Sequence, residues 1–154
     1  LVLLAGVWEG GKRQVDLPLR KNILASGERV VRVHPEGKPA QTRFVPLLHL
    51  TQPSLPQTTL CRAWPLTGRT HQIRVHAAAI GHPVAGDEKY GDDGQNKLLR
   101  QQGLRRLFLH AERLHFKLQT QAYHLHAPLP DELRAILTHL AGATHVRQFQ
   151  ALNL

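Results

Sequence analysis

What this 154-residue chain lacks narrows the field first. It has one cysteine, Cys61, so no internal disulfide can form. Leu60, Arg62, Ala63 and Trp64 around it read as a strand, which makes Cys61 a buried bystander thiol rather than a nucleophile. No apolar run approaches the roughly 18 residues that a membrane helix needs. The run at 1–7 has neither the basic lead-in nor the cleavage pattern of a signal peptide. No G-x-G-x-x-G, phosphate-loop or G-x-S-x-G pattern occurs, so dinucleotide, P-loop and hydrolase-elbow chemistries have no sequence support. His71 and His76 stand about 140° apart around a helix, which is not a two-histidine zinc face. His124 and His126 share a strand face but have no third ligand nearby, so no metal or organic cofactor is expected.

Acidic residues are also few, 11 against 20 basic ones, giving a net charge of +9 and a pI near 10.6. Such a surface suits a phosphate polymer, because each neutralised phosphate releases a counterion. A basic surface without any ligand remains the alternative. Hydrophobic residues make up 42%, ample for a packed core. A chain of this length buries roughly 70% of its unfolded surface. It begins with Leu1 rather than Met, and a fragment or processed product is expected.

Apolar and β-branched runs predict strands at 1–8, 28–33, 41–50 and 58–64. Pro46 marks an edge or bulge in the third of these, and Pro18 demotes 15–20 to edge or loop. Residues 84–94 read as a Gly/Asp-rich loop and 96–102 as a short helix. Leu114, Phe116 and Leu118 alternate with His115 and Lys117, which predicts a strand in a hairpin turning at 119–121. A last helix runs from Pro130 to Leu140 with Gly142 after it, and 143–154 is unassigned. The order gives an α+β fold, a mixed but mainly antiparallel sheet flanked by helices.

The informative stretch is "TGRTHQIRVHAAAIGHPVAGDEKYG", residues 67–91. Thr70 is a candidate cap, Ile73, Ala77 and Ile80 recur at helical spacing, and Gly81 with Pro83 stops the helix. Arg74 then lies beside the apolar stripe and three residues from His71. A guanidinium there stays charged and is costly to bury alone, so it needs an anion: a carboxylate of the protein or a phosphate.

That stretch resembles the signature of the RluA-type pseudouridine synthases, which isomerise uridine in RNA. "LPLRKNILASGERVVRV", "EGKPAQTRF" and "RRLFLHA" are similar to one branch that acts on the ribosomal large subunit. The resemblance implies 23S rRNA as partner, extrusion of the target uridine, no metal or cofactor, and a cytoplasmic protein. It implies that Arg74 pairs with a catalytic aspartate in an H-R-L-D motif, and that Leu109, or else Leu107, lines the base pocket. Arg69, Thr70 and His71 are expected to orient the loop or touch the RNA backbone, and Asp87 and Tyr90 to fix the 86–91 loop. No H-R-L-D occurs: the aspartates are Asp16, Asp87, Asp92, Asp93 and Asp131. A tyrosine that packs on the uracil in the family would fall just before residue 1. The chain is therefore expected to be the C-terminal part of a catalytic domain, inactive alone. A non-catalytic RNA-binding module derived from such an enzyme is the alternative.

Overall fold

The computed structural model describes residues 1–23 and 27–154. Part of one stretch carrying the resemblance, residues 24–26, lies outside the described residues. The main sheet has the order β1–β6–β5–β2, from β1 (Val2–Ala5), β2 (Arg13–Asp16), β5 (Gln41–Leu50) and β6 (Thr58–Pro65). Two ribbons stand outside it, β3 (Leu19–Ile23) with β4 (Arg29–Val33), and β7 (Arg113–Leu118) with β8 (Gln121–His126). Every pairing among the described strands is antiparallel. Three helices complete the described residues: α1 (Gln72–Ala79), α2 (Asp93–Gln101) and α3 (Asp131–Ala151).

The sheet is covered on both faces, which explains why β1 is apolar without alternation. Leu1, Leu3, Leu48, Leu50 and Leu60 pack with Leu133, Ile136, Leu137 and Leu140 of α3 and Leu99 of α2. On the other face Val2, Leu4, Phe44 and Cys61 pack with Ala77 of α1. Burial pushes the Cys61 thiol up to about 12, so it stays an unreactive thiol.

Some elements follow the sequence expectation and others differ from it, each for a local reason. Pro18 separates β2, an edge strand of the main sheet as expected, from β3. Pro46 falls at a register shift in β5, the bulge its ring requires. Helix α2 starts at Asp93, earlier than expected, because the Asp92 carboxylate accepts the Gln95 N–H at 2.7 Å. Helix α3 continues past Leu140 through a break at Gly142, whose φ is +52°. Gln52 Nε2 caps the interrupted turn, donating to the carbonyls of His139 at 3.0 Å and Leu140 at 2.7 Å. The β7–β8 ribbon is the predicted hairpin, turning at 119–120, but its apolar face is open: Leu114, Phe116, Leu118 and Leu125 are all exposed.

The outer edge of β1 is not bare. Leu3 N–H donates to Phe108 C=O, Ala85 N–H to Leu3 C=O, and Phe108 N–H to Ala85 C=O. These bonds fix segments 83–85 and 108–110 beside the sheet and set the loops adjoining them.

Candidate functional site

Helix α1 solves a packing problem with unusual residues. Gln72 and His76, four apart, share one face and are buried. Gln72 Nε2 donates to Gln41 C=O at 2.8 Å and to Thr42 Oγ1 at 3.0 Å, and its Oε1 accepts the Thr67 hydroxyl at 2.7 Å and the Arg69 N–H at 3.0 Å. His76 Nε2 lies 2.8 Å from the Leu17 carbonyl, which fixes the proton there, so Nδ1 accepts from Thr42 Oγ1 at 2.9 Å. Burial pushes the His76 pKa down, against the opposing Leu17 bond. These two side chains pin the helix to β5; they are anchors that the spacing made visible but did not explain.

Thr70 is not the helix cap. His71 occupies that position with a left-handed backbone, φ 53° and ψ 20°, and no side-chain capping bond. It places its imidazole against Tyr90, Nδ1 to Oη at 2.8 Å, with the rings edge to face at 5.5 Å. Burial lowers the His71 pKa, and the positive charges of Arg74 and Lys89 lower it further against the pull of Asp87.

Arg74 finds its carboxylate inside the chain. Nε and Nη2 donate to Asp87 Oδ2 and Oδ1 at 2.7 and 2.6 Å, a fork-to-fork pair. Asp87 Oδ1 also accepts the backbone N–H groups of Lys89 at 2.9 Å and Tyr90 at 3.0 Å. Burial of Asp87 raises its pKa, but Arg74 and those two N–H groups outweigh it and hold the carboxyl below its ordinary range. The Asp87 bonds in turn keep Arg74 firmly protonated. The Tyr90 ring faces the guanidinium at 4.9 Å from Cζ. Nη1 makes no hydrogen bond among the described residues.

The loop carrying Asp87 is built to hold it. Gly86 has φ +74°, and a Cβ there would collide with the Arg106 carbonyl oxygen. Asn96 of α2 closes the loop, accepting the Gly86 N–H at 2.8 Å and donating to the Asp87 C=O at 2.9 Å.

Arg74 and Asp87 line an open cavity of about 530 Å³ together with Glu28, Gly86, Glu88, Lys89, Arg105, Arg106 and Leu107. Leu107 is in that lining and Leu109 is not; Leu109 packs partly buried against the α1 side of the sheet and bridges Val2. A second cleft of about 410 Å³ lies between the β3–β4 ribbon and residues 68–70, lined by Arg20, Lys21, Glu36, Lys38, Arg69 and Thr70 among others. The exposed Arg69 donates through Nε to the Pro39 carbonyl at 3.0 Å. The sequence-predicted residues thus divide between two hollows: Arg74 in one, Arg69 and Thr70 in the other, with His71 between them in sequence. Among the described residues, no group of three or more His, Cys, Asp or Glu side chains is placed to hold a metal, and no helix is long and apolar enough to cross a membrane. The lining residues Lys89, Arg105 and Arg106 were not anticipated; only the adjacent "RR" and "EKYG" hinted at them.

Comparison with known proteins identifies the fold first. The human RNA Pseudouridylate Synthase Domain Containing 1 structure superposes with a TM-score of 0.70 at 29% identity, covering 84% of this chain and 53% of that one. The human Domain Containing 4 structure, at TM-score 0.65 and 24% identity, shares the fold over 90% of this chain and 60% of that one. No family model matches the chain. The chain is 44% identical to the ribosomal large subunit pseudouridine synthase C of Haemophilus ducreyi over 142 residues, which is 91% of this chain and 43% of the relative. It is 44% identical to that of Escherichia coli strain K12 over 147 residues, 93% of this chain and 44% of the relative. The chain is thus homologous to pseudouridine synthases. Its homology runs to the large-subunit synthases named C, of whose length it spans under half.

Proposed function

We propose that this chain is the C-terminal part of an RNA pseudouridine synthase acting in the cytoplasm on uridines of 23S rRNA. Arg74 carries the reading. Its Nε–Nη2 edge is locked on Asp87, its ring-facing side rests on Tyr90, and Nη1 is left for a second anion in a cavity that Lys89, Arg105 and Arg106 also line. That second anion is the catalytic aspartate of an H-R-L-D motif, contributed by sequence outside these 154 residues. Asp87 therefore sets the aim of Arg74, and Arg74 keeps the incoming acid ionised and in place.

The reaction balances without an oxidant or reductant. The N1–C1′ bond of uridine breaks, the base turns, a C5–C1′ bond forms, and a proton lost from C5 is matched by one gained at N1. The basic cleft beside the ribbon binds RNA backbone, and extrusion brings one base to the Arg74 cavity. The apolar wall there is Leu107 rather than Leu109.

The test is conversion of uridine to pseudouridine in a 23S rRNA transcript. The full-length protein is expected to convert it and the 154-residue chain alone to leave it unchanged. Turnover by the isolated chain, or none by the full-length protein on any rRNA, overturns the assignment. Salt-sensitive RNA binding without turnover by a full-length protein lacking H-R-L-D would instead favour a non-catalytic RNA-binding module.

A further inference from the structure

Tyr90 joins three parts of the molecule that the proposed chemistry needs in register. Its hydroxyl accepts the Val31 N–H at 2.9 Å, and Val31 belongs to the ribbon strand β4. With that bond accepted, the phenol proton is free to go to His71 Nδ1 at 2.8 Å, so His71 serves as an acceptor. His71 holds this position in a left-handed backbone that non-glycine residues seldom adopt, an outlier that points to a positional demand. The same phenol ring supports the Arg74 guanidinium from the side, at 4.9 Å.

The ribbon thus latched is a poor element by itself. Arg20 and Arg32 are directly opposed across its two strands, and like charges so placed repel. Besides the backbone bonds that Leu19 exchanges with Lys38, its apolar attachment to the body is one small patch: Leu19 and Val31 pack with Ala40 and Val75, and Tyr90 packs against them. A second tie comes from the same loop, where Lys89 Nζ donates to the Arg29 carbonyl at 2.9 Å. The tyrosine hydroxyl and ring therefore serve different ends of the site.

We infer that Tyr90 is a positioning residue with two separable roles: its hydroxyl latches the basic β3–β4 ribbon to α1, and its ring aligns Arg74. RNA phosphates seated on the ribbon are thereby coupled to the guanidinium that addresses the base. This rests on the pseudouridine synthase reading for its kinetic consequence, but not for the latch itself.

The experiment uses the full-length protein with Tyr90→Phe and Tyr90→Leu. Amide hydrogen exchange reads the latch: in Tyr90→Phe the Val31 amide is expected to exchange about tenfold faster while amides of β5 and β6 are unchanged. Kinetics on rRNA read the coupling. Tyr90→Phe is expected to raise KM about tenfold with kcat held within about twofold, and Tyr90→Leu to lower kcat about tenfold as well. A packing role alone would leave Val31 exchange and KM at wild-type values in Tyr90→Phe, and that result overturns the proposal. Equal kcat in the Phe and Leu variants overturns the alignment role. If Tyr90→Leu does not fold, Val31 exchange in Tyr90→Phe still decides the latch. Should the wild-type protein prove inactive, the enzyme reading fails and the exchange result stands apart from it.

Discussion

The described residues include two Arg–carboxylate forks of nearly the same geometry. Arg62 Nε and Nη2 meet Glu112 at 2.9 and 2.8 Å, and Arg74 meets Asp87 at 2.7 and 2.6 Å. Both join distant segments, and both carboxylates are buried while their arginines are partly exposed. Their surroundings differ. Glu112 accepts from Arg62 and has Arg113 nearby at 3.5 Å, so it is a tie between β6 and the chain entering β7. Asp87 is further held by two backbone N–H groups, and its arginine has an aromatic face on one side and lines an open cavity. The fork by itself therefore says nothing about function. Both guanidiniums leave Nη1 without a hydrogen bond among the described residues, so what separates a strut from a site is whether that edge has a cavity to face.

The first way to sharpen this contrast is to remove each carboxylate. Asp87→Ala strands a partly buried guanidinium and two N–H groups, and is expected to destabilise the protein by about 3–5 kcal/mol in chemical denaturation. Glu112→Ala leaves Arg62 without its partner but strands no backbone N–H group, so about 1–3 kcal/mol is expected. Equal losses would mean that the extra bonds at Asp87 contribute nothing. Next comes the loop that sets Asp87. Gly86→Ala combines a positive φ with a collision against the Arg106 carbonyl, and should cost about 1–3 kcal/mol and shift the thermal midpoint down.

Acid sensitivity gives a smaller effect with a defined sign. Burial raises the pKa of both Asp87 and Glu112, but their arginine partners outweigh it and leave both below the usual range. A carboxylate depressed in the folded state contributes stability above its unfolded pKa and loses it as pH falls through the folded value. Stability should therefore fall below about pH 4, and Asp87→Asn should flatten that acid limb more than Glu112→Gln. His76, depressed by burial, adds a separate loss that begins as pH drops below about 6.5. Last is the exposed Arg20–Glu36 pair at 3.1 Å, where Glu36→Gln should change stability by less than about 1 kcal/mol. The same variant removes the acid from the basic cleft and should strengthen RNA binding at low salt.

Much of this architecture is legible in the sequence because its signals are local. Strands β4, β5 and β6, the stop of α1 at Gly81 and the inert Cys61 follow from residue type and spacing. Arg74 was recognisable as a cation needing an anion, since burial makes that demand whatever the fold. Its partner was harder: Asp87 stands 13 residues on, and only the turn made by Gly86, Asn96 and the β1 edge brings it back. The tie between Tyr90 and Val31 spans 59 residues and leaves no periodic trace. Leu107 and Leu109 have the same strand parity, so sequence could not say which faces the cavity; the bridge from Leu109 to Val2 settles its place beside the sheet. The continuation of α3 beyond Gly142 depended on Gln52, a residue from another part of the chain.

The proposed function requires that one fork serve a reaction and the other the scaffold. In the full-length protein, Arg74→Ala and Arg62→Ala should be compared for pseudouridine formation in 23S rRNA under conditions where both are folded. Arg74→Ala is expected to lose turnover by at least about a thousandfold, while Arg62→Ala keeps it within a few-fold of wild type. Comparable turnover in the two variants would show that Arg74 is only a second strut, and would contradict the account.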